Sequence, residues 1–120
     1  MTEYLLSVHT SPDHRPEPMS EQQMQEQMQR VEALEAEMKE RDALISSARL
    51  TGTDSATVVD ATGGEVITTD GPFAEAKEHL AGFYIVRAAD LDDALSWAQR
   101  TSECVGMPIE VRAFAGMRGA

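Results

Sequence analysis

Asp70-Gly71-Pro72-Phe73-Ala74-Glu75-Ala76-Lys77-Glu78, followed closely by Gly82-Phe83-Tyr84-Ile85-Val86, is the stretch that decides how this chain is read. A β-branched run ends in Asp-Gly-Pro, a short charged segment follows, and a new strand begins. Gly71 permits a positive φ, Pro72 fixes φ near the turn value, and the Asp70 carboxylate can accept from nearby backbone N–H groups. The pattern predicts a short helix from Phe73 to Leu80, with Phe73 as a core plug. It predicts a strand from Gly82 to Arg87, with Phe83 and Ile85 on one face and Tyr84 and Val86 on the other.

Upstream, Thr57-Val58-Val59-Asp60 and Glu65-Val66-Ile67-Thr68 flank Ala61-Thr62-Gly63-Gly64, a hairpin signature. Further back, Met24, Met28, Val31, Leu34 and Met38 recur at spacings of three and four. They define the apolar stripe of a helix from about Glu21 to Arg41, facing either the core or a partner copy. Ser20 stands as its N-cap, with Gln23 in capping-box position. Ser11 to Pro18 is a proline-rich loop. Tyr4 to His9 reads as a strand, with Tyr4, Leu6 and Val8 on one side and Leu5, Ser7 and His9 on the other. Downstream, Asp90 caps a helix with Asp93 at N3 and a stripe of Leu91, Ala94, Leu95 and Ala98. A last strand runs from Ile109 to Phe114, and the tail beyond it frays.

Strands mixed with two substantial helices predict an α+β fold with the helices on one face of an antiparallel sheet. Tyr4, Leu6, Val8, Phe83, Ile85, Ile109 and Val111 are assigned to the helix-facing core. Leu5, Ser7, His9, Tyr84, Val86, Glu110 and Arg112 are left for the second face. That set is too apolar for bare solvent and too polar for a plain core. A homodimer packed sheet against sheet, with a partly polar cavity between, accounts for it.

At 120 residues the chain reads as one domain over 1–120. The formal net charge of −11 repels phosphate backbones and anionic membranes, so neither nucleic acid nor membrane is an expected partner. Cys104 is the only cysteine, and the first residues carry no basic or long apolar leader, which points to a cytoplasmic protein. No zinc spacing, Walker-type loop, dinucleotide fingerprint or Gly-x-Ser-x-Gly elbow occurs, so neither metal nor cofactor is expected.

Ala48-Arg49-Leu50, Ala56-Thr57-Val58-Val59, Thr69 to Glu78, Gly82-Phe83-Tyr84, Asp90 to Ala98 and Ile109-Glu110-Val111-Arg112 together resemble the YCII-related proteins of the DGPF type. The resemblance covers nearly the whole chain. It implies a ferredoxin-like sandwich that dimerises into an α+β barrel, and a strand over Ala43–Ala48, where propensity alone also allows more helix. Smaller members carry a His on the first helix and an Asp, to which acid–base chemistry is ascribed. Here the aligned position falls near Val31 and the helix has no His, so that pair is not carried over. The resemblance also implies a link to an extracytoplasmic-function sigma factor as a separate protein.

Candidate chemistry follows from the second face. His9 is the one histidine placed there by alternation, and an imidazole titrates near neutrality. Paired with Asp70 it would serve acid–base chemistry; each also has a structural reading, His9 as a hydrogen-bonded edge residue and Asp70 as a turn cap. Ser7, Tyr84 and Arg112 would bind a ligand, Arg112 as an anchor for carboxylate or phosphate. Ion pairing of Arg112 with Glu110 and packing of Tyr84 are the competing roles. His14 and His79 read as surface residues. Two functions stay open: a small dimeric binding or regulatory module, and a cofactor-free enzyme acting on a small organic acid through His9 and Asp70.

Overall fold

The computed structural model describes residues 1–11 and 17–119, so His14 and most of the proline-rich loop lie outside it. Along these residues run β1 (Thr2–Thr10), α1 (Glu21–Glu40), β2 (Leu44–Arg49), a 3-10 turn (Thr53–Ser55), β3 (Thr57–Asp60), β4 (Ile67–Asp70), β5 (His79–Ala88), α2 (Leu91–Val105) and β6 (Ile109–Ala113). The main sheet has the order β2-β5-β1-β6, and each adjacent pair is antiparallel. Both helices share one buried cluster with β1 and β5. This is an α+β fold in a ferredoxin-like arrangement. The β3–β4 hairpin is inserted between β2 and β5 as a separate two-stranded sheet.

Local chemistry sets the helix starts. Ser20 Oγ accepts from the Gln23 amide, and the Gln23 side chain accepts from the Ser20 amide, which closes a capping box at α1. At α2, Asp90 accepts from the Asp93 amide while the Asp93 carboxylate accepts from the Ala89 amide. The α1 stripe is only half used. Leu34 and Met38 are buried and Val31 is half-buried, whereas Met24 and Met28 are exposed on the N-terminal half. In α2 the buried set is Ala94, Trp97, Ala98 and Thr101. The expected Leu91 and Leu95 are exposed, because Trp97 turns the apolar stripe toward itself.

Cross-strand register fixes the two faces of the sheet. Tyr4 lies opposite Val86 and Leu6 opposite Tyr84, so Tyr4, Leu6, Tyr84 and Val86 all face the helices, and all are buried. Ile109 and Val111 pack against the same cluster, as expected. The assignment of β5 is reversed from the sequence reading: Phe83 and Ile85 are on the open face, and Tyr84 and Val86 are in the core. Phe83-Tyr84-Ile85-Val86 is apolar on both sides of the pleat, so alternation carried no polarity cue. The Tyr84 hydroxyl tolerates burial because it has a partner on α1.

The segment after Asp70 also departs from expectation. Gly71 adopts φ +99°, as Asp-Gly-Pro requires, and its amide donates to the Ala56 carbonyl at 2.7 Å. No helix follows. Residues 71–78 run as turns and bends, and β5 begins at His79. So short a helix needs packing to persist, and Phe73 is 71% exposed rather than a core plug. His79, expected on a helix surface, is half-buried at the start of β5. In the hairpin, β4 starts two residues later than its sequence pattern indicates. Asp60 Oδ1 accepts from both the amide and the hydroxyl of Thr62, which organises the longer loop.

Gly82 sits on β5 opposite Arg49 of β2, where the two backbones run close. A Cβ built there would meet the Ala48 carbonyl oxygen at 2.9 Å, and backbone cannot swing aside as a side chain can. Gly82→Ala is expected to destabilise the fold by about 1–3 kcal/mol. The check is a lower urea midpoint at an unchanged denaturant slope.

Candidate functional site

The open face of the sheet is built by alternation from its four strands. Leu5, Ser7 and His9 project from β1. Ile85 lies opposite Leu5 and Phe83 opposite Ser7 on β5; Arg112 lies opposite Leu5 and Glu110 opposite Ser7 on β6. Across β5, β2 adds Ser46 beside Ile85 and Ala48 beside Phe83. Leu5, Phe83 and Ile85 remain half-buried in the single chain. A register irregularity between Val8 and His9 places His9 opposite Leu80, at the end of the sheet where β5 begins.

Ser7 is the polar centre of this face and is only 3% exposed. Its Oγ stands 3.0 Å from His9 Nε2 and 3.5 Å from the Glu110 carbonyl oxygen. A serine hydroxyl has one proton. Given to Nε2, it makes the imidazole a base aimed at the hydroxyl; given to the carbonyl, it makes Nε2–H the donor to Ser7. The shorter distance belongs to the Ser7–His9 contact. Among the described residues no carboxylate lies in ion-pair range of Arg112, although Glu110 stands two residues away on the same side of β6, so the guanidinium can take an anion.

Thus the fold brings Ser7, His9 and Arg112 onto one face, and it separates them from the other two candidates. Tyr84 points to the helix side, where its hydroxyl donates to Glu35 Oε1 at 2.8 Å. Burial, reinforced by the Glu35 carboxylate, holds the Tyr84 phenol well above its ordinary pKa. Asp70 is exposed at the end of β4, opposite Thr57 in the inserted hairpin. His9 and Asp70 share no hydrogen bond within the chain; the imidazole partner is Ser7.

Two polar contacts behind the sheet were missed in the sequence. Glu35, one residue past the stripe position Leu34, had no marker as the partner of Tyr84. Nor did Glu37, whose carboxylate lies between Arg41, 2.9 Å away, and Arg100. The Arg100 hydrogen bond is the main reason its carboxyl sits below the usual range. Both guanidiniums also lie over the Trp97 ring, at 5.4 and 5.2 Å from its centroid. Among the described residues, no cluster of three or more His, Cys, Asp or Glu is arranged to hold a metal ion. No helix of the described residues is long and apolar enough to cross a membrane.

Comparison with known proteins gives two matches. Residues 2–111 match the YCII-related domain. An uncharacterised protein of Rhizobium meliloti (strain 1021) is 41% identical over 75 residues, which cover 62% of this chain and 60% of that protein. The chain thus spans under two thirds of that relative's length.

Burial of the Tyr84 phenol, together with its hydrogen bond to Glu35, makes stability depend on alkaline pH. The native phenol holds its proton more tightly than the unfolded one, whose pKa is about 10. Its contribution is therefore complete below that pH and lost progressively above it. Tyr84→Phe is expected to flatten the fall in urea midpoint between about pH 9 and 11 relative to the parent. Equal slopes for the two proteins would contradict the assignment.

Proposed function

The chain belongs to the YCII-related family, and from that premise we propose that it is a small dimeric binding module of the DGPF type. Two copies pack open face against open face and hold a small organic anion between them. The observation that carries this reading is the Ser7–His9 pair, with Ser7 buried and His9 half-buried, on the same face as an Arg112 that has no ion-pair partner among the described residues and as the half-buried Leu5, Phe83 and Ile85. A surface of that composition has an apolar ground that another surface can cover and a few polar groups that orient a ligand. The single cysteine and the acidic surface suit a cytoplasmic protein that avoids nucleic acid and membranes. A regulatory role beside an extracytoplasmic-function sigma factor rests on the family resemblance alone.

The 3.0 Å Ser7–His9 contact favours one second reading, a cofactor-free enzyme acting on a small organic acid. His9 would move the proton, Arg112 would hold the acid, and Asp70 would act with His9 from a neighbouring chain.

Native mass spectrometry of freshly purified protein is expected to show a dimer, with any retained ligand as added mass. Titration calorimetry with a panel of small mono- and dicarboxylates is then expected to find a binder. Arg112→Ala should weaken it about 10- to 100-fold, the size of one charge-assisted hydrogen bond. A monomer, or binding unchanged in both Arg112→Ala and Ser7→Ala, would overturn the reading. Turnover of a bound acid that disappears in His9→Ala would select the enzyme over the binding module.

A further inference from the structure

We propose that the β3–β4 hairpin is an arm that closes over the open face of a second copy, so that Asp70 and Phe73 of one chain complete the His9 site of the other. This inference rests on the dimeric reading above. It goes further by naming which segment crosses and what it contributes.

The arm has apolar surface and no core of its own. Val59, Val66, Ile67 and Phe73 are between 57% and 73% exposed. Yet among the described residues β3 and β4 pair only with each other. A two-stranded hairpin in water is marginal unless its apolar side is covered. The chain is correspondingly extended: its radius of gyration is 16.5 Å, against about 14 Å for a compact domain of this length.

Position, reach and charge select the occupant. The arm leaves the sheet at the end that holds His9: the Leu50 amide donates to the Ala81 carbonyl at 2.8 Å, and Leu80 lies opposite His9. Two four-residue strands and their loop extend about 15–20 Å, and a four-stranded sheet is about 19 Å wide, so the arm can span a facing sheet. Between Asp54 and Glu78 the sequence holds six acids against Lys77 alone, while the open face carries Arg112 with Glu110 two residues away, and among the described residues no carboxylate lies in ion-pair range of Arg112. One chain therefore displays both an exposed acidic arm and an open face on which half-buried Leu5, Phe83 and Ile85 surround a few polar groups, Arg112 among them. A two-fold axis satisfies both at once, each arm lying on the other copy's face, and closes the assembly at two chains. In that arrangement Asp70 of the second copy supplies a carboxylate to His9, which has none as a partner among the described residues of its own chain. His9 Nε2 is engaged by Ser7, which leaves Nδ1 to receive it. Phe73 caps the pocket from above.

The test uses the whole chain in a Cys104→Ser background, which removes the one native thiol. Phe73→Cys and Ile85→Cys proteins are mixed and mildly oxidised. A disulfide joining the two different chains is expected, and a Leu95→Cys control on the exposed side of α2 should give none with Phe73→Cys. Native mass spectrometry of the same samples reports subunit number independently. A dimer with no arm-to-face disulfide would overturn the arm and leave the dimer standing. A monomer would overturn both. A second variant needs no cysteine chemistry. Ile67→Asp lies at a position 57% exposed in the single chain. It should leave the unfolding midpoint of the isolated chain unchanged and raise the dimer Kd at least about tenfold, because it places an unpaired charge under the arm. An unchanged Kd would equally overturn the proposal.

Discussion

The pairing of β1 with β5 is the constraint on which the rest of this structure depends. These are the two inner strands, and the opposition of Leu6 to Tyr84 and of Tyr4 to Val86 decides which side meets the helices. Side chains alternate with a period of two, so a slip of one residue would exchange the core set for the open set on a whole strand. Leu6 and Val86 are completely buried, which makes such a slip expensive. Ser7, His9 and Arg112 share a face only because this register holds.

Elements with a local chemical marker were legible in the sequence. Ser20 with Gln23 and Asp90 with Asp93 announced two helix starts, and the structure has both caps. β1 was read correctly on both faces because Ser7 and His9 interrupt its apolar residues on one side only. β5 offered no such contrast. Four consecutive apolar residues fit either orientation, and the choice depended on a long-range partner, Glu35, that spacing cannot show. The short helix expected after Pro72 failed for a related reason. Its propensity was adequate, but helix stability comes mostly from burying a face, and Phe73 is left largely exposed.

The candidate site was legible in the same proportion. Ser7, His9 and Arg112 came from strands whose parity was right, and they share the open face. Tyr84 came from the strand whose parity was wrong, and it lies behind the sheet. Asp70 was chosen for its turn chemistry, and the turn is there, with Gly71 at positive φ and Asp70 ending a strand, but among the described residues no backbone N–H donates to the Asp70 carboxylate. What turn chemistry does not encode is where a hairpin points. Nothing in β3 or β4 specifies an intrachain partner, and their apolar residues are accordingly left outside the core.

Trp97 is the only tryptophan in the sequence, and it is 4% exposed, behind the sheet and beneath two guanidiniums. Its fluorescence therefore reports one layer of the molecule. The emission follows the docking of α2 against the sheet and the integrity of the Arg41–Glu37–Arg100 clamp, with the full thickness of the sheet between it and Ser7. Intrinsic fluorescence is thus a sensitive gauge of unfolding and a nearly blind one for anything that settles on the open face. A flat emission trace during a ligand titration would say only that the helix layer stayed in place, so occupancy of the other face has to be followed by heat, mass or a label placed there.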